Sequence, residues 1–157
     1  MTTHIRIPRM ASRASALSAL TAVAVGGTVA APALPQQADA ATVAAEALRI
    51  AASKKGAPYA YGAAGPNRFD CSGLTQYAYK RAGKRLPRTA AAQYNRTRHI
   101  KASTREHGDL VFFHAGGSVY HVGLYAGSGR IWHAPKAGTV VRLERIWTGK
   151  VWYGQVR

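Results

Sequence analysis

From Gly108 onward the chain is written in short β-rich runs, "GDLVFF", "HVGLYAG", "GRIWHAP", "GTVVRLERI" and "VWYGQVR", parted by glycine-containing turns. The residues before it repeat at helical spacing. In "TVAAEALRIAASKKG" Thr42 is placed to cap a helix, Val43, Ala47, Ile50 and Ala51 share one face, and Gly56 and Pro58 end it. The Gly- and Pro-containing "PYAYGAAGPNRF" reads as a loop. A second helix follows with Asp70 as N-cap and Leu74, Tyr77 and Ala78 at helical spacing up to Gly83, and "LPRTAAAQYNRT" gives a short third. Helices first and strands later predict an α+β domain, its N-terminal helices packed on a mainly antiparallel sheet.

The first forty residues differ from the rest. Arg6, Arg9 and Arg13 precede the mildly apolar "ASALSALTAVAVGGTVAAPAL", which leads into "ADAA". Basic start, apolar middle and small-residue site predict a secretory signal over 1–40, cleaved after Ala40. A membrane anchor is the competing reading, but Ser15, Ser18, Thr21 and the Gly26-Gly27 pair dilute the run, and Pro32 and Pro35 end it. The mature chain, 41–157, then suits one domain with one core, without stable membrane insertion and monomeric.

Removing residues 1–40 takes three arginines and Asp39 from 22 basic and six acidic side chains, leaving 19 against 5 and a formal charge of +14. Such a chain tolerates self-repulsion or has an anionic partner. Its basic residues are scattered from Arg49 to Arg157 with no run of five and no nucleic-acid motif, so nucleic acid is not expected. For an exported protein an anionic wall polymer is the expected partner. A merely solubilising surface is the alternative.

Cys71 is the only cysteine, which excludes an internal disulfide and leaves a buried hydrophobe, a partner-linking thiol or a nucleophile. Its place in the first turn of a predicted helix favours the nucleophile, because a helix start lowers a thiol pKa from about 8.5 toward neutrality. A nucleophilic thiol needs a base. His99 sits among Arg96, Arg98 and Lys101 as a surface residue, and His107 precedes Gly108 as a turn residue. His121 opens "HVGLYAG" on the same strand face as Gly123 and Tyr125, where small neighbours leave room for a substrate. His133, near the end of the next strand, is in reach to orient the first imidazole, with His114 the competing candidate.

Together "PYAYG", "FDCSGLTQYAY", "LPRTAAAQ", "GDLVFF", "YHVGLYAG" and "IWHAP", in this order over about Ala44 to Arg157, resemble the NlpC/P60 family of papain-like cell-wall cysteine peptidases. The resemblance implies Cys71 as nucleophile, His121 as base, His133 as orienting residue and Tyr59 beside the thiol. It also implies hydrolysis of peptidoglycan stem peptides, commonly at the bond from the γ-carboxyl of D-glutamate to the following diamino acid. Many members carry extra wall-binding domains, and none is read here. The Cys71 backbone N–H and the Tyr59 hydroxyl are then the expected oxyanion donors. Asp70 and Ser72 are expected either to contact a substrate ammonium or amide or simply to cap the helix, the two readings standing level for Asp70.

Paired zinc-ligand spacings and a G-x-S-x-G serine elbow are both missing from the sequence, so no metal and no cofactor is expected. A non-catalytic cationic wall binder remains as an alternative from another class. The same Cys-His-His set would also serve an acyltransferase or an antibacterial toxin.

Overall fold

Six strands, all antiparallel and in the order β1-β6-β2-β3-β4-β5, carry three helices in the computed structural model, which describes residues 35–157. The helices are α1 (Pro35–Ser53), α2 (Cys71–Arg81) and α3 (Ala90–Arg96). The strands are β1 (Arg98–Ile100), β2 (Leu110–Ala115), β3 (Ser118–Tyr125), β4 (Arg130–His133), β5 (Arg142–Arg145) and β6 (Val151–Gln155). The described residues form one compact α+β unit, and none of its helices is long and apolar enough to cross a membrane. The predicted signal lies outside the described residues up to position 34.

Two expectations are corrected. Thr42 does not start the first helix, which runs from Pro35, because "QQADAATVAAEA" is a nearly unbroken row of strong helix formers with nothing to interrupt it. Arg98–Ile100 was not expected as a strand. Its three residues adopt one by pairing with Tyr153–Gln155 of β6.

The sheet is covered on one face by the helices. Ala47, Ala51, Leu74, Ala78 and Tyr79 from the helices bury Leu110, Phe112, Val122 and Leu124. The alternate residues Val111, Phe113, Tyr125 and Ile131 form a smaller cluster with Ile146, Val151 and Tyr153. Both faces of β2 are therefore apolar, which is why "LVFF" shows no alternation. The β3 residues do alternate as predicted, Val122 and Leu124 toward the helices and Tyr125 away.

Helix α2 is seated by Gly73. A Cβ there would stand 2.1 Å from the Ala63 carbonyl oxygen, so only glycine lets the first turn press against the preceding loop. Cys71 is thereby fixed at the junction of loop, helix and sheet.

Candidate active site

Cys71 is the first residue of α2, and its turn is braced from three directions. Asp70 caps the helix, its Oδ1 accepting from the Gly73 amide at 2.7 Å and its Oδ2 from the Gly62 amide at 2.8 Å. Arg88 donates to both Asp70 carboxylate oxygens and, at 3.0 Å, to Ser72 Oγ. Gln93 Nε2 donates to the Ser72 and Pro87 carbonyls, each at 2.9 Å, while its Oε1 accepts from Thr75 Oγ1 at 2.7 Å. The "LPRTAAAQ" stretch is thus a clamp on the first turn. Burial works against the Asp70 carboxylate, but Arg88 and the two amides outweigh it and hold its pKa below the ordinary carboxylate value.

Of the two readings of Asp70, capping is the one seen in the structure. Asp70 and Ser72 are both buried, turned toward Arg88, and absent from the cleft that holds the thiol. Their polar atoms have internal partners, so their work here is to hold the helix start.

The other side of the thiol is β3. The Val122 amide, with those of Ser72 and Cys71, points at the sulfur, which brings the thiol to the residue next to His121. His121 Nε2 lies 2.9 Å from His133 Nδ1, and His133 Nε2 lies 2.9 Å from Glu144 Oε2. Glu144 also accepts from Arg142 Nε at 2.8 Å. The direction of these bonds follows from the end of the chain. An ionised carboxylate only accepts, so His133 carries its proton on Nε2 and presents a bare Nδ1. His121 must then donate from Nε2, leaving Nδ1 as a lone pair for the thiol.

Gly123 has a different use from the one expected. A Cβ there would come within 2.9 Å of Ile131 Cδ1 and 3.2 Å of His133 Cβ, so the space beside His121 admits His133 rather than substrate.

The cleft itself measures about 430 Å³ and is lined by Tyr59, Cys71, Tyr120, His121, His133, Pro135, Lys136, Arg142, Glu144 and Trp147. Four sequence candidates, Cys71, His121, His133 and Tyr59, therefore meet in one place. His114 does not. A register shift between Phe113 and His114 carries it aside, where its ring stacks on Trp152 at 3.8 Å. His99 stacks on Tyr94 at 3.9 Å, and His107 lies against Gly127. Among the described residues no cluster of three or more His, Cys, Asp or Glu is placed to hold a metal ion.

The sequence profile of the NlpC/P60 family matches residues 56–156, which contain every residue of this cleft. The chain belongs to the NlpC/P60 family. A probable endopeptidase of Corynebacterium glutamicum is 40% identical over 134 residues, 85% of this chain and 60% of that protein. The bifunctional muramidase/DL-endopeptidase CwlT of Bacillus subtilis is 43% identical over 62% of this chain and 30% of its own length. The chain thus spans about 60% or less of the curated relatives it matches. Among solved structures, the peptidoglycan hydrolase RipB of Mycobacterium tuberculosis superposes with a TM-score of 0.68 at 28% identity, over 76% of this chain and 67% of that one.

In this NlpC/P60 domain the charge state of the site differs from the sequence expectation. Burial pushes the Cys71 thiol up and the Asp70 carboxylate adds to it, more than the three amides pull it down. Burial, with His133 next to it, lowers His121 to about 3. Burial lowers His133 as well, against the opposing pull of Glu144. The shifts of Cys71 and His121 both favour a neutral thiol and a neutral imidazole at rest, against the preformed thiolate predicted from the helix start.

Sequence reasoning missed Arg88, Gln93, Glu144 and Trp147. Trp147, half exposed, stacks on Phe113 at 4.1 Å and lies 5.8 Å from the His121 ring and 5.5 Å from that of His133. It roofs the two imidazoles. Arg88 and Gln93 stood inside a motif quoted above, but their partners Asp70 and Ser72 lie 16 to 21 residues away.

Proposed function

We propose that this protein is a cysteine endopeptidase acting on peptidoglycan stem peptides, at the bond from the D-glutamate γ-carboxyl to the following diamino acid. The observation that carries this reading is the directed chain Glu144–His133–His121, which leaves a lone pair on His121 Nδ1, with Cys71 lining the same cleft. The family membership and the named endopeptidases among its relatives support the same reaction class.

Because thiol and imidazole start neutral, proton transfer accompanies attack. As Sγ bonds to the scissile carbonyl carbon, the thiol proton passes to His121 Nδ1, and the negative charge moves to the carbonyl oxygen. The Cys71 N–H, which has no carbonyl acceptor within the helix at this first position, can turn from the sulfur to that oxygen once Sγ is bonded to the carbonyl carbon. Tyr59 lines the same cleft, and burial, with Cys71 and Asp70 nearby, raises its pKa, so its hydroxyl stays a donor. The C–N bond then breaks as His121 returns its proton to the leaving amine. Water, deprotonated by His121, attacks the thioester, the C–S bond breaks and the thiol is restored.

We also place the enzyme outside the cell, on the strength of the signal-like residues 1–40. A mature N-terminus at Ala41 in the culture medium is the expected finding; a cytosolic, uncleaved chain would count against it.

The central experiment incubates the protein with purified peptidoglycan and identifies the soluble fragments by mass spectrometry, with Cys71→Ala as control. Fragments with a new amino terminus on the diamino acid are expected from the wild type only. New sugar ends, or equal release by the variant, would overturn the proposal.

A further inference from the structure

The basic residues look scattered in the sequence, yet the fold gathers four of them around one groove. Lys84, Arg85, Arg96 and Arg157, with the buried Leu86 and Val156, line a depression of about 490 Å³. None of the six acidic residues of the chain lines it, and among the described residues none of the four cations is in a salt bridge. The acids are engaged elsewhere: Glu46 with Arg49, Asp70 with Arg88, Glu144 with Arg142, and Asp109 with the Glu106 amide.

Lys84, Arg85 and Arg96 do not hang from a loose loop. The Lys84 amide bonds to the Tyr79 carbonyl at 2.9 Å and the Gly83 amide to that of Lys80 at 3.2 Å, with Gly83 at φ 93°, the paired bonds of a Schellman stop. That stop fixes the direction of Lys84 and Arg85, while Leu86 anchors the segment in the core. Arg96 closes α3 beside them. Holding like charges together on rigid backbone is unfavourable, and an anion in the groove relieves it.

We propose that this groove docks a phosphodiester-bearing polyanion of the bacterial cell wall, so that the wall is gripped at the C-terminal end of α2 while Cys71 works at the other. The two ends are roughly 15 Å apart, given the rise of a helix, so bound polymer leaves the cleft free. Three of the four cations are arginines, whose planar fork matches a phosphate bidentately. No aromatic ring lines the groove, so it lacks the stacking platform with which single-stranded nucleic acid is held. The choice of a wall polymer rests on the proposed function above.

The test compares two triple variants of equal charge change in the full-length Cys71→Ala background: Lys84→Gln, Arg85→Gln, Arg96→Gln, and the exposed control set Lys55→Gln, Lys101→Gln, Arg130→Gln. Each is co-sedimented across a salt series with Gram-positive walls, intact or stripped of phosphodiester polymers by hydrogen fluoride. In the active background each is also assayed on a small soluble stem peptide. The groove variant is expected to lose retention on intact walls by about tenfold near physiological salt, and the control set by much less, because only the former removes clustered contacts. Stripping the walls should remove the difference, and soluble-peptide turnover should be unchanged by either set. Equal loss in both sets, retention indifferent to stripping, tighter binding to nucleic acid than to walls, or a matching fall in soluble turnover would each overturn the proposal. A wild type that leaves the soluble peptide uncut would instead refute the endopeptidase reading, while the retention data still judged the groove.

Discussion

Replacing Glu144 by alanine removes the acceptor that fixes the proton of His133, and the consequence reaches the thiol two imidazoles away. With Glu144 in place, His133 keeps its proton on Nε2, where the acceptor lies at 2.9 Å, and His121 is left with a bare Nδ1. Without it, His133 is free to carry the proton on Nδ1, where it would donate to His121 Nε2 and force the His121 proton onto Nδ1, making that nitrogen a donor. That arrangement cannot accept the proton of Cys71. A hydrogen bond to a charged group contributes about 1.5–3 kcal/mol, and Glu144 is over a third exposed, so about 1–2 kcal/mol of tautomer preference is at stake. The expected result is a fall of roughly 5- to 30-fold in kcat with a smaller change in KM, measured on a soluble stem peptide. Glu144→Gln should recover most of the loss, since its amide oxygen accepts the same hydrogen bond. Thermal unfolding should be little altered in either, because the carboxylate sits at the rim of the cleft. Full kcat in Glu144→Ala, or an equal fall in Glu144→Gln, would refute the tautomer argument; the latter would assign the effect to charge alone.

Alkylation of Cys71 by iodoacetamide should rise with pH only above the ordinary thiol value, because burial and Asp70 disfavour the thiolate; strong labelling near neutrality would contradict this. Arg88→Ala should lower stability by about 1–3 kcal/mol and cost activity, since it leaves the buried Asp70 carboxylate without its guanidinium in the turn that holds Cys71, the proposed nucleophile; an unchanged melting temperature would sink the clamp. Asp109 is buried, has one carboxylate oxygen without a hydrogen-bond partner among the described residues, and is raised by burial to about 6. The folded state therefore binds the proton more tightly than the unfolded chain, and stability falls as pH rises from about 4 through 6. Asp109→Asn should remove that dependence and raise stability at pH 7, by on the order of 1–2 kcal/mol after allowance for screening, in denaturant melts at pH 5 and pH 7; an equal penalty at both would refute it.

What the sequence made legible follows from how local each cause is. The β-rich runs after Gly108 and the helix after Asp70 announce themselves by period and cap, so the α+β architecture could be read directly. The start of α1 could not, because its alanine-rich run carries no stop, and β1 could not, because its three residues acquire their state only from β6. Cys71, His121 and His133 were readable as a set. Glu144 was not: "RLER" looks like an exposed edge strand, and its carboxylate reaches His133 only because β5 pairs with β4, His133 opposite Arg142.

The thiol shows most clearly where local reasoning fails. Its position at a helix start favours the anion, and the amides of Ser72, Cys71 and Val122 do point at the sulfur. Yet the residue that caps the helix is itself a carboxylate, clamped beside the thiol by Arg88, and the loop and sheet close over both. The same Asp70 that builds the helix start thus opposes the charge that the helix start favours, and burial adds to the opposition. A site of this kind disfavours a ready thiolate at rest. On the proposed mechanism it depends on His121 Nδ1 being bare at the moment of attack, and so on the carboxylate of Glu144 at the far end of the imidazole pair.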